Sequence, residues 1–376
     1  LIPRRGLRIG EFRGIAVYLH WSWFIIFFLL LWVITQFFQA NVDASPLVYV
    51  PVSLLTTFLF FVSVLLHELS HSLVANRNGV PIRRITLFVF GGVAQMSRDV
   101  NSPGTELKMA VAGPVCSYCL CLVFGLFAYL SHAAGAGTIS FGFILLSAVN
   151  FGLGTFNLVP GFPLDGGRIL RSLLWRHWGD LERSTRAATR MGEGVGGLLI
   201  LLGAGMFIFE LMEPQYDLFI SGLWFILIGA FLMQAAYASY RQVRLRTSLE
   251  GLRVADATRF GVPAVDTSTT LEEVYKVHLE RAPLSTIPVL RQGRLAGTVN
   301  LADLRPVPRH LWPDTPVGAV ARPVHLRDAI SPEAPLYEAV HIMERAQKEY
   351  LWVAQEGRLV GVILREDAGA AARRKG

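Results

Sequence analysis

The chain has 376 residues, 52% of them hydrophobic and only 17% charged. Soluble chains carry about 25% charged residues, so the deficit excludes an ordinary soluble protein and implies extensive lipid-facing surface. The net charge of +7, from 35 Lys and Arg against 28 Asp and Glu, argues against a nucleic-acid partner, because the arginines flank apolar runs, where they orient membrane spans.

A membrane helix needs about 20 apolar residues. Six runs qualify, at roughly 15–37, 49–75, 106–131, 138–160, 191–212 and 218–239. The first is too long for a secretory leader and lacks a small-residue cleavage site, so it reads as a retained span. Basic residues precede the first run (Arg4, Arg5, Arg8, Arg13) and follow the second (Arg77, Arg83, Arg84), the fourth (Arg168, Arg171, Arg176) and the sixth (Arg241, Arg244, Arg246). The connections 41–46, 131–140 and 213–217 hold no Lys or Arg. The positive-inside rule then puts every basic segment and both termini in the cytosol, in a multi-pass protein of the cell membrane.

His20 lies among tryptophans early in the first run, in Leu19-His20-Trp21-Ser22-Trp23, and reads as an interfacial residue. The second run contains His67-Glu68-Leu69-Ser70-His71. On a helix the two histidines project from one face and can share a Zn²⁺, with Glu68 beside them to deprotonate a water. Chance alone would place such a motif in roughly two of a hundred chains of this composition. Ionisable groups in a span cost at least about 2.5–3.5 kcal/mol each and mark functional sites. Catalytic zinc takes three protein ligands, so a third is expected nearby.

Residues 82–97 alternate: Ile85, Leu87 and Val89 interleave with Thr86, Phe88 and Phe90, and Gly91-Gly92 follows as the turn of a short β-hairpin. The hairpin either lies in a cytosolic loop or dips to membrane depth, where it would line a protein cavity. The third run carries Cys116, Cys119 and Cys121. An odd number in an apolar helix is no disulfide framework. Cys116 and Cys119 share a face, which leaves a metal or redox site open beside the simpler reading as small buried thiols. The fourth run ends in Asn157-Leu158-Val159-Pro160-Gly161-Phe162-Pro163-Leu164-Asp165-Gly166-Gly167. Alone, Asp-Gly-Gly reads as a turn; beside the histidine motif, Asp165 is the best third ligand. Gly192 and Gly196 in the fifth run form a GxxxG pair, which permits close helix approach.

Beyond Arg241 charges become regular and the chain repeats itself. Residues 291–303 align with 355–367, about 64 residues on, the size of one small α/β unit. Each copy reads strand, Gly turn (Gly293, Gly357), strand and helix start (Asp303, Asp367), after a helical stretch at 270–281 or 335–348.

The HExxH at 67–71 and the NxxPxxPLDGG at 157–167, together with residues 90–94 and Gly113-Pro114, resemble the site-2 protease family of intramembrane metalloproteases from about residue 15 to 240. The resemblance implies one zinc ion held by His67, His71 and Asp165, Glu68 as general base, and Asn157 as a contact to the substrate backbone or oxyanion. One departure is Ser117, where many relatives have Asn; the hydrogen bond that Asn makes is in doubt here. The C-terminal copies resemble tandem CBS domains, which implies ATP or AMP between them with Asp303 and Asp367 at the ribose. Position 300 is Asn and 364 is Leu, where that family often has Thr or Ser, so helix capping in a dimerisation module stays open as the other role of both Asp residues.

The expected architecture is a polytopic α-helical membrane protein of about six transmembrane helices with a short β-hairpin, residues 1–246, followed by an α/β tandem CBS pair at 250–310 and 311–371. The expected function is cleavage of a single-span membrane protein, such as an anti-sigma factor or another membrane-tethered regulator, under nucleotide control and in a homodimer paired through the CBS domains. A CBS-bearing transporter or channel, or an inactive scaffold homologue, is the alternative. A transporter would spread polar residues along several spans; here they gather at one end of two.

Overall fold

The computed structural model describes residues 6–89, 91–96, 100–213, 218–280, 286–324 and 328–375. Arg4, Arg5, Phe90, Ser97, Arg281 and the connection 214–217 lie outside the described residues. The chain divides into two units, Leu1–Arg241 and Gln242–Gly376.

The first unit opens with β1 (Gly6–Phe12) and β2 (Ile15–His20), then α1 (Trp21–Asn41) and α2 (Pro46–Arg77). Strands β3 (Ile82–Phe88) and β4 (Gly91–Met96) follow, then α3 (Pro103–Ala133), α4 (Gly137–Asn157), α5 (Asp165–Trp178), α6 (Leu181–Met212) and α7 (Leu218–Leu249), whose last residues belong to the second unit. Six helices, all of these but α5, are long and apolar enough to cross a membrane. The architecture is therefore a polytopic helical protein with a small β-sheet.

The first span starts later than the apolar run. Ile15, Val17 and Leu19 are 0%, 6% and 9% exposed, a period-two burial that makes residues 15–20 a strand. β2 pairs antiparallel with β1 and parallel with β3, giving a sheet of order β1-β2-β3-β4. His20 ends the strand and caps α1: its Nδ1 accepts from the Ser22 N–H at 3.2 Å. The expected hairpin is β3–β4, with a different turn. Phe88 pairs with Gly91, so Gly91-Gly92 opens β4 instead of forming the reversal.

Several buried hydroxyls in the spans bond within their own helices, as an environment without water favours. Ser53 and Thr57 each donate to the carbonyl four residues back, both at 2.8 Å. Between helices, Asn150 of α4 donates to Ser63 Oγ of α2 at 3.2 Å.

Glycines set the closest approaches, and the expected Gly192–Gly196 pair does two separate jobs. Gly192 lies against the Phe162 backbone, where a Cβ would stand 2.9 Å from the Phe162 nitrogen. Gly196 faces α7, where a Cβ would stand 2.7 Å from the Gly229 carbonyl oxygen. Seven residues further along α6, Gly203 packs in the same way against Gly222.

In the second unit the first repeat comprises β5 (Arg259–Phe260), β6 (Val265–Asp266), α8 (Leu271–Glu273), β7 (Thr286–Arg291), β8 (Arg294–Asn300) and α9 (Leu301–Leu304). The second comprises β9 (Arg322–Pro323), β10 (Ala329–Ile330), α10 (Leu336–Ala346), β11 (Tyr350–Gln355), β12 (Arg358–Leu364) and α11 (Arg365–Lys375). Helix α8 is short because the chain widens to a π-helical turn over Val274–Leu279. Both hairpins reverse on two left-handed residues, Gln292-Gly293 (φ 52° and 75°) and Glu356-Gly357 (φ 51° and 83°), the two-residue turn that matches strand twist. The repeats exchange segments: β5 pairs with β12 and β9 with β8. Val254 and Ala257 pack in the core of the second repeat, and Val317 in that of the first.

Gly229→Ala forces a methyl group against the Gly196 carbonyl and should cost roughly 1–3 kcal/mol. Gly205→Ala, which meets nothing within 4 Å, should be neutral or stabilising by up to about 1 kcal/mol. Thermal unfolding of the purified proteins in detergent separates the two.

Candidate metal centre

Helix α2 carries His67 and His71 one turn apart, and their Nε2 atoms stand 3.2 Å from each other. Asp165 Oδ2 lies 3.2 Å from His67 Nε2 and 3.1 Å from His71 Nε2. Three donors held tetrahedrally at about 2 Å from one zinc ion would be roughly 3.3 Å apart, so the spacing fits. All three groups are buried, His67 at 4%, His71 at 7% and Asp165 at 9% exposure.

The second nitrogen of each ring fixes its direction. His71 Nδ1 donates to the Met109 carbonyl at 2.6 Å. A carbonyl only accepts, so the proton sits on Nδ1 and Nε2 presents its lone pair to the cluster. His67 Nδ1 hydrogen-bonds Ser117 Oγ at 2.9 Å. The residue that departs from the family pattern thus orients a ring. Burial works against ionisation of Asp165, yet the two imidazoles outweigh it and hold its carboxyl well below the usual carboxylate range. Donors this close repel one another unless a cation, a proton or a metal ion, sits among them.

Backbone fits tightly around the cluster. At Gly113 of α3 a Cβ would overlap His71 Nε2 and stand 2.6 Å from His67 Nε2. Only glycine lets α3 pass there, and Pro114, which cannot donate to Ala110, follows it. Gly92 of β4 covers Glu68: a Cβ there would overlap Glu68 Cγ and stand 2.9 Å from Cδ. That contact explains why Gly-Gly lies in the strand and not in the turn. Among the described residues no hydrogen bond engages the Glu68 carboxylate.

Asp165 is not the end of the fourth span. Helix α4 stops at Asn157, and Asp165 is the first residue of the separate helix α5, where a carboxylate is favoured by the helix dipole. The two glycines after it permit the loop to fold back. A Cβ at Gly166 would overlap the Leu158 and Val159 carbonyls, and one at Gly167 the Phe162 nitrogen. The Asn157 amide donates to the Leu153 carbonyl at 3.0 Å. Ser117, Met109 and Gly113 reach the site from a different helix, so no spacing within the HExxH run pointed to them; the apolar third run gave one signal, its Gly-Pro.

In the second unit Asp303 accepts from the Asn300 N–H at 3.0 Å while Asn300 Oδ1 accepts from Ala302 and Asp303, a reciprocal cap of α9. Asp303 also pairs with Arg322 Nε at 2.5 Å. Asp367 takes two bonds from Arg259, both 2.8 Å, and this pairing raises the Arg259 pKa above its ordinary value. Cys116, Cys119 and Cys121 are free thiols.

A buried His-His-carboxylate cluster, two of its members on a membrane-competent helix, is a metal site of the kind membrane metallopeptidases carry. The sequence profile of peptidase family M50 matches residues 55–134 and 129–203, and that of the CBS domain matches 254–310 and 317–368. Rip3 of Mycobacterium tuberculosis, described as a zinc metalloprotease, is 31% identical over 97% of this chain and 92% of its own. A Synechocystis protein of the same description, sll0528, is 30% identical over 95% and 93%. The structure of a site-2 protease from Methanocaldococcus jannaschii covers 63% of this chain and 95% of its own, at 30% identity and a TM-score of 0.40. The chain belongs to peptidase family M50, the site-2 protease family, as a multi-pass zinc metalloprotease with tandem CBS domains.

Gly113→Ala should abolish tight metal binding, because its methyl group occupies the space of the two Nε2 atoms. Ser117→Ala leaves that space intact and should weaken zinc affinity by about tenfold, as loss of a histidine's hydrogen-bond partner does. Zinc content and chelator competition on purified protein check both.

Proposed function

We propose that this protein is an intramembrane protease that hydrolyses peptide bonds in or beside the transmembrane segments of membrane proteins. In this reading one zinc ion is held by His67, His71 and Asp165. The convergence of those three donors within 4.8 Å of one another carries the reading. A zinc ion there would supply Lewis acidity to the scissile carbonyl and acidify the attacking water.

The protein's own residues do the rest. Glu68 accepts the proton of the attacking water and delivers it to the leaving nitrogen as the C–N bond breaks. Asn157, half-buried, turns its amide to the substrate backbone or to the oxyanion. A peptide carbonyl inside a helix is already hydrogen-bonded and shielded, so the substrate must unwind before it is cut. Strand β4 ends its sheet, and its outer edge accepts the unwound segment by strand addition. One face of β4 lies on Glu68 at Gly92, so a strand added to its edge arrives near the base.

The substrate class is a single-span membrane protein, an anti-sigma factor or a similar membrane-tethered regulator. By the positive-inside rule both termini are cytosolic. The protease domain occupies 1–246 and the CBS repeats 250–310 and 311–371. ATP or AMP binds this pair through Asp303 and Asp367 and regulates cleavage, and the same pair joins two copies in a homodimer.

Glu68→Gln should lower cleavage by about 10²–10⁴-fold with zinc retained, and Asp165→Ala should lose the zinc itself. Undiminished cleavage by the first, or full zinc occupancy in the second, rules this mechanism out. Titrating full-length protein with ATP and with AMP should release or absorb heat that Asp303→Ala abolishes; a flat titration with both nucleotides removes the regulatory reading.

A further inference from the structure

We propose that the buried ion pair of Glu106 and Arg171 is a positioning device that aims Asp165 at the two histidines, an inference that rests on the zinc-ligand reading above. Glu106, in the first turns of α3, is 0% exposed. Arg171 of α5 donates from Nε to Glu106 Oε1 at 2.8 Å, and its Nη2 bonds the same oxygen. Arg168 Nε stands 4.0 Å from that oxygen. The other oxygen, Oε2, is buried and has no partner among the described residues. The Arg171 guanidinium also lies 5.0 Å from the ring centre of Phe162, in the loop that leads into α5.

The location of the pair gives it its role. Along α3, Glu106, Met109, Gly113 and Ser117 recur every three or four residues and so share one face. That face meets Arg171, His71, both rings and His67 in turn. The same helix therefore orients both imidazoles and grips α5, which begins with Asp165. Six residues separate Asp165 from Arg171, a rise of about 9 Å, and a rotation of α5 about its own axis would swing the carboxylate away from the rings.

Packing alone does not require charges here. A buried ion pair is weak evidence for stability, and apolar residues of similar volume often serve as well or better. What the guanidinium adds is direction, since two N–H groups of one rigid plane converge on a single carboxylate oxygen, which a lone ammonium cannot reproduce. Leaving Oε2 unpaired is a cost that pure packing would not incur. The pair is thus a positioning pair for the third ligand, and neither residue touches the reacting atoms.

The test uses full-length protein in detergent, with the double variant Glu106→Met/Arg171→Met beside the singles Glu106→Gln and Arg171→Lys. Thermal unfolding reads the fold. Zinc Kd by chelator competition and the visible spectrum of the cobalt-substituted protein read the site. The double variant should unfold at or above the wild-type temperature yet bind zinc about 10–100-fold more weakly, with altered cobalt bands. Arg171→Lys, which keeps the charge and loses the fork, should fall between. Wild-type zinc Kd and cobalt spectrum in the double variant overturn the proposal, and so does a double variant that does not fold, since the pair would then be holding packing. Asp165→Ala, measured alongside, separates the two levels: tight zinc there refutes the ligand assignment itself, whereas lost zinc there with normal zinc in the double variant refutes only the positioning role.

Discussion

Three lone-pair donors facing one another at 3.1–3.2 Å in a buried site is the arrangement on which the rest of the first unit depends. Left to themselves these groups repel, so the fold has to hold them together and a cation has to sit among them. The tight places in the backbone answer the first need. Gly113 lets α3 pass across both rings, Gly166 and Gly167 let the loop close over the start of α5, and Gly192 lets that loop lie on α6. Each is a position where a single methyl group would push a ligand-bearing element away. Hydrogen bonds to Met109 and Ser117 then remove the remaining freedom of ring rotation. The site's residues come from three helices, α2, α3 and α5, and only one of them carries the HExxH.

That division explains what was legible in the sequence. His67, Glu68 and His71 were readable because helical periodicity fixes their relation within five residues, and a span makes charged groups conspicuous. The two I′-type turns of the second unit were readable for the same reason: Gly293 and Gly357 act locally. Met109 was not, because it offers a backbone carbonyl from another helix and no single-run pattern encodes that; Ser117 showed only as a departure from the family's motif, with nothing to name His67 as its partner. Residues 15–20 misled for a different reason. Both faces of that strand are apolar, Ile15, Val17 and Leu19 on one and Ala16 and Tyr18 on the other, so alternation was hidden inside what looked like the start of a span. At Gly91-Gly92 glycine was read as a turn residue, whereas the structure uses Gly92 for the close approach to Glu68.

The second unit follows another logic, exchange between repeats. Each candidate ligand carboxylate is gripped by an arginine from the other repeat: Asp367 by Arg259 of β5, and Asp303 by Arg322 of β9. These are the strands that cross over to pair with β12 and β8. The two ion pairs therefore sit at equivalent places in the two halves and reinforce the same crossover.

Such pairs also constrain chemistry at those carboxylates. A ribose hydroxyl that bonds Asp303 or Asp367 must share or displace the arginine already there. Both arginines are exposed, whereas the Asp303 side chain is buried and that of Asp367 partly so, so a ligand that displaces either arginine has to supply the carboxylate with a new donor. A displaced guanidinium would remain beside the ligand, placed to meet its phosphate oxygens in a bidentate contact. The Asn300 cap is separate, since Asp303 uses Oδ2 for Asn300 and Oδ1 for Arg322. A ligand that took Oδ1 would therefore leave the cap of α9 in place and loosen the Arg322 contact between the repeats.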